Sequence, residues 1–201
     1  MPTNLVRVGG GSAAMVGGVI GVIASLMALV FLLPHLLTQT PNEVSSGIVT
    51  FTGLLFLLAW ILVLGGLVGL YASQREAVGV LGIVGFVMAL VGTVVKVILL
   101  CIQTFHIPVS GATSIGVLVG LVIGVGTLVG FIGWFLFGLA TFRSRIYPRP
   151  AAILLMVGVA IQALIHLTGG EFIVMAAAIA WLGFLLFQGR GSSVEEPGRP
   201  R

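Results

Sequence analysis

Lys96 is the single lysine of the sequence, and it lies well inside the apolar run from Val78 to Ile102. At the centre of a membrane helix an ammonium group costs about 2.5 to 3.5 kcal/mol on the insertion scale. Such a group pairs with a carboxylate, lines a polar cavity, or snorkels along its alkyl stem to the interface. At about 100° per residue, Gly85, Ala89, Gly92, Lys96 and Gln103 share one narrow helix face, with Thr93 beside it. A later run repeats the feature: Gly158, Gln162 and His166 recur at four-residue spacing. His106 and Glu171 stand at the same end of these runs. Lys96, Gln103, His106, Gln162, His166 and Glu171 therefore define a candidate polar pocket for a ligand. Snorkelling and pocket lining both stay open for Lys96.

Other chemistry finds little support. None of the three histidines, His35, His106 and His166, has the H-x-x-x-H spacing of a helical metal site. We expect no metal and no cofactor, and a haem- or metal-binding redox protein is the weakest of the readings. Cys101 is a lone thiol in an apolar run, which suits a small packing residue. The chain has no aspartate, and its five glutamates all fall outside the apolar runs. Proton-coupled pumps place a carboxylate within a helix, and a Ser/His/Asp triad needs an aspartate. Glycine-rich phosphate loops need a strand–turn–helix setting that is absent here. No catalytic residues are expected, and the chain is not expected to be an enzyme.

The elements that would position the polar residues follow from the solvent. The 201 residues are 59% hydrophobic and only 7% charged, with a mean hydropathy of +1.27. Soluble domains carry about 25% charged residues, so the apolar runs must face lipid. There, every backbone N–H and C=O needs an internal partner. The runs lack strict alternation and exceed the roughly ten residues of a barrel strand, so they are helices. We expect an all-α, polytopic transmembrane bundle of six spans, at about 12–33, 47–72, 78–102, 114–141, 151–167 and 172–187. A polar, glycine-rich segment, 1–11, precedes them, and a disordered tail, 188–201, follows. The first run exceeds the apolar core of a secretory signal, about 7 to 15 residues, and is read as retained.

Positive charge orients such a bundle, because basic residues beside membrane helices stay in the cytoplasm. With six spans, one side receives Arg7, Arg75, Arg143, Arg145, Arg149, Arg190, Arg199 and Arg201, which are all the arginines of the chain. The loops on the other side receive none. Both termini are therefore expected in the cytoplasm of a cell with one plasma membrane to cross, the inner membrane of a bacterium. Arg143, Arg145 and Arg149 are the main determinants of this topology. They could also meet anionic lipid headgroups at about 1 kcal/mol per charge. The net charge of +4 is accounted for by these arginines and implies no nucleic-acid partner.

Thirty glycines are about twice the usual share of ~7%. In lipid, small residues let helix backbones approach, so Gly116, Gly120, Gly124, Gly126 and Gly130 are expected to pack helices together. The same ladder could join two copies of the chain. One tryptophan falls in each of the second, fourth and sixth runs, Trp60, Trp134 and Trp181, a pattern open to a three-hairpin repeat or to ordinary interfacial anchoring. The stretch Gly66–Gly92, "GLVGLYASQREAVGVLGIVGFVMALVG", with the arginine- and proline-bearing loop before Ala151, resembles small six-helix bacterial integral membrane proteins of unknown function. That resemblance implies a fold and a membrane but no active residue. The first functional expectation is a non-enzymatic structural or accessory bundle. The alternative is a small transporter or ligand-binding protein with an outward-facing polar pocket.

Overall fold

The computed structural model describes residues 2–31, 46–105, 114–164 and 172–188. Every regular element among them is an α-helix: α1 Pro2–Phe31, α2 Ser46–Gln74, α3 Gly79–Thr104, α4 Ser114–Ser144, α5 Arg149–Leu164 and α6 Phe172–Phe187. Four carry stretches long and apolar enough to cross a membrane: Val8–Phe31, Gly47–Gln74, Gly79–Thr104 and Gly116–Ser144. These mark the chain as a membrane protein. α5 and α6 are also apolar, but each has 16 residues, a length of about 24 Å.

α1 starts ten residues before the apolar run that was expected to begin it. Pro2 suits a first helical turn, where its missing N–H leaves no bond unmade. Tertiary packing then overrides the low helix propensity of Gly10 and Gly11. A Cβ on Gly10 would strike the backbone of Gly69 in α2, and one on Gly11 would stand 2.8 Å from the amide nitrogen of Phe187 in α6. The glycines let α1 sit against both neighbours.

Each helix packs on the next in sequence, and α6 returns to α1, so the six close into a ring. One hydrophobic core fills it, with Trp60, Leu67, Trp134, Phe137, Leu155, Met175 and Ile179 buried. The α3–α4 contact is set by Gly92 against Gly130, close backbone approach standing in for the hydrophobic drive that lipid removes. At the arginine-bearing end, hydrogen bonds tie separate helices. Gln74 Nε2 donates to Thr141 Oγ1 at 3.0 Å, and Ser73 Oγ and Tyr147 OH share a bond of 2.8 Å. The buried Tyr147 thereby pins the turn that joins α4 to α5.

The glycine ladder of α4 divides. Gly126 meets Val95 of α3 and Gly130 meets Gly92, as packing residues do, and Gly116 is buried. Gly120 and Gly124, expected to pack helices within the bundle, have nothing within 4 Å of a Cβ among the described residues. α4 has 31 residues and α5 is described over 16, about 46 Å against 24 Å. α5 covers Gly138, which meets Met156.

Candidate internal polar site

Five helices converge on a small cavity inside the ring. α3 contributes Gly92, Thr93 and Lys96 to its wall, α5 contributes Gln162 and α6 contributes Met175. Trp60 of α2 and Trp134 of α4 bring indole rings, and Thr127, Gly130 and Phe131 of α4 complete the lining. Lys96 lies 17 positions into α3 from Gly79, about 26 Å from the arginine-bearing end. It borders the interior rather than facing only lipid, and it is half-buried.

Hydrogen bonds hold part of this wall in place. Trp134 Nε1 donates to Thr93 Oγ1 at 3.1 Å, and Thr93 Oγ1 donates to the Ala89 carbonyl at 2.7 Å. The indole of α4 is thus latched to the backbone of α3. Thr127 Oγ1 likewise donates to the Ile123 carbonyl at 2.8 Å. Gln162 differs. It is only 3% exposed, and its Oε1 has no hydrogen-bond partner among the described residues. A buried amide oxygen left so costs about 1 to 3 kcal/mol, and such groups in native proteins commonly meet a bound water or ligand. The cavity holds about 20 Å³, room for one water molecule. No organic solute fits there in this conformation.

Of the six residues expected to form a polar pocket, Lys96 and Gln162 line this one cavity. Gln103 does not: it is exposed near the end of α3 and lines a separate cleft against α2. His106, His166 and Glu171 lie outside the described residues, as do His35 and Glu43. Among the described residues no group of three His, Cys, Asp or Glu side chains could hold a metal ion. Cys101 is a free, half-buried thiol and belongs to neither wall.

Sequence reasoning left the tryptophans open between a hairpin repeat and interfacial anchoring and missed that two of them wall the same cavity. Trp60 and Trp134 are buried, whereas Trp181 is 40% exposed on the outside of α6. The three hairpins therefore do not use their tryptophans alike. The available signal was Thr93, one residue off the Lys96 face and free to accept an indole N–H. Arg143, Arg145 and Arg149 are all exposed around the α4–α5 turn, with the Arg149 guanidinium 5.9 Å from the centre of the Phe142 ring. Compared with known proteins, the chain matches no family model, no curated protein and no solved structure.

Proposed function

We propose that this chain is a non-enzymatic accessory bundle of a bacterial plasma membrane. It crosses the bilayer six times with both ends in the cytoplasm and self-associates through the uncovered half of α4. One observation carries the reading. Gly120 and Gly124 form a Gly-x-x-x-Gly pair on a long apolar helix, and none of the described residues packs on them. Such pairs serve helix association in lipid because they let a partner backbone approach. Around them Leu121 and Leu128 are more than 60% exposed, so a second copy would meet a broad apolar face.

The reading is tested by the mass of the detergent-solubilised protein from light scattering. The expected result is a dimer that Gly120→Leu and Gly124→Leu convert to monomer without loss of the fold, since the added side chains meet open space. A monomer from the unaltered chain would end the proposal. The arginine distribution supports the topology, including short spans for α5 and α6, each slightly under a typical ~30 Å hydrocarbon core. Anionic headgroups at Arg143, Arg145 and Arg149 follow from the same orientation. A reporter fused after residue 201 should be active in the cytoplasm and silent in the periplasm.

A second reading, a small ligand-binding or transport protein, is favoured by the convergence of Lys96 and Gln162 on one cavity. It requires the helices to part, because the void takes one water. Uptake or binding that survives both Lys96→Leu and Gln162→Leu would exclude the cavity as its site.

A further inference from the structure

A second cleft lies apart from the Lys96 cavity, between the N-terminal half of α2 and the last turns of α3. It measures about 170 Å³. An engineered dry cavity of about 150 Å³ takes up benzene, so this cleft is large enough for a six-membered ring. Val49, Phe56 and Leu100 give it apolar walls, while Thr52, Gln103 and Thr104 bring hydroxyl and amide groups. Among the described residues no ionisable side chain lines it, which suits a neutral guest. Gly53 sets the crossing of the two helices. A methyl group on it would stand 2.7 Å from Thr104 Oγ1.

Thr52 supplies an independent sign of a missing partner. It is 3% exposed, and its Oγ1 has no hydrogen-bond partner among the described residues. Thr93, Thr127 and Thr141 also sit within helices, and each donates to the carbonyl four residues back. That bond is the ordinary refuge of a threonine hydroxyl in an apolar helix. Thr52 does without it on the wall of a void. A rotation about χ1, for which threonine has two helical rotamers, turns the hydroxyl toward a guest.

We propose that this cleft binds a neutral, ring-sized amphipathic molecule drawn from the membrane, its ring between Phe56 and Leu100 and its hydroxyl or carbonyl on Thr52. Val49 and Gln103, both exposed, border the mouth, an apolar and an amide group at the level where such molecules partition. The cleft shares no lining residue with the Lys96 cavity, and the proposal stands whether or not the chain self-associates.

The test uses the full chain in lipid nanodiscs, photolabelled with a trifluoromethyl-diazirinyl benzyl alcohol. Adducts are mapped by mass spectrometry, with unlabelled benzyl alcohol as competitor. The expected result is saturable, competable labelling of segments 49–56 and 100–104. Val49→Phe, which fills the cleft, should abolish it. Thr52→Val, which keeps the shape and removes one hydrogen bond, should raise the half-saturating concentration roughly three- to tenfold. Lys96→Met should leave it unchanged. Labelling that does not saturate, or that spreads along lipid-facing residues, overturns the proposal. So does saturable labelling indifferent to Thr52→Val, which decides alone if Val49→Phe lowers the melting temperature.

Discussion

Gly130→Ala is the sharpest probe of how this bundle is held together. Its Cβ would stand 2.9 Å from the Cα of Gly92 and 3.3 Å from the Gly92 carbonyl carbon. Carbon atoms at rest sit about 3.5 to 4.0 Å apart. Both obstacles are backbone, so no side chain can rotate away, and α3 must part from α4 by roughly 1 Å. Overpacking of this kind costs about 1 to 3 kcal/mol, while alanine returns about 0.5 to 1 kcal/mol over glycine in a helix. The net loss is about 0 to 2.5 kcal/mol, centred on about 1 kcal/mol. Gly124→Ala is the control. Within one chain its methyl has no described neighbour within 4 Å, so at monomeric dilution only the propensity term acts, and stability should hold or rise slightly. The measurement is reversible unfolding in mixed micelles, or steric trapping in bicelles, of both variants beside the parent. If Gly130→Ala unfolds no more readily than Gly124→Ala, glycine-mediated backbone contact is not what joins α3 to α4.

Three further substitutions probe the polar groups. Thr93→Val leaves the Trp134 indole N–H buried without its 3.1 Å acceptor and should lower the unfolding free energy by about 1 to 3 kcal/mol, with a change in tryptophan emission that Trp181→Phe does not abolish. Tyr147→Phe removes the 2.8 Å bond to Ser73. It should cost about 0.5 to 1.5 kcal/mol and speed proteolysis of the α4–α5 turn, and an unchanged cleavage rate would show that the bond does not pin the turn. Gln162→Leu removes an oxygen with no partner among the described residues, so stability should stay level or rise. A loss above about 1 kcal/mol would show that this oxygen is bonded in the membrane.

The helices were legible in the sequence because lipid leaves a chain few choices. Runs almost free of charge and longer than a barrel strand admit one backbone solution, and the described parts of α2 through α6 lie within about three residues of the expected runs, residues 165–167 of the fifth run falling outside the described ones. What composition could not supply is which face of each helix has a neighbour. The spacing of Gly120, Gly124, Gly126 and Gly130 looks alike in the sequence, yet Gly126 and Gly130 turn to α3 while Gly120 and Gly124 have no described neighbour within 4 Å. The start of α1 was hidden for a related reason. Gly9, Gly10 and Gly11 read as a break in a lone strip of sequence, and Gly10 and Gly11 become an asset once α2 and α6 flank them. Gln103 shares the helical face of Lys96 by angle but sits about two turns farther along α3, so it belongs to the cleft with α2 and not to the cavity.

The α3 face explains how a membrane bundle can keep a polar void. Gly85, Ala89 and Gly92 carry little or no side chain, and each lies buried against α4. Close approach at these positions brings Trp134 within reach of Thr93, and the indole bond then fixes the ring across the mouth of the gap. One turn beyond Gly92 the next residue on the same face is Lys96, whose length cannot fit the close contact that the smaller residues permit. α3 and α4 keep contact at that level through Val95 and Gly126, and beside that contact a gap remains where Lys96, Gln162 and the two indoles meet. On this account the void follows from placing one long side chain at the end of a row of short ones. Replacing Lys96 with alanine should let the facing walls at Gln162 and the indoles close on α3 and shrink the cavity, and a structure of that variant with an unchanged or larger void would refute the argument.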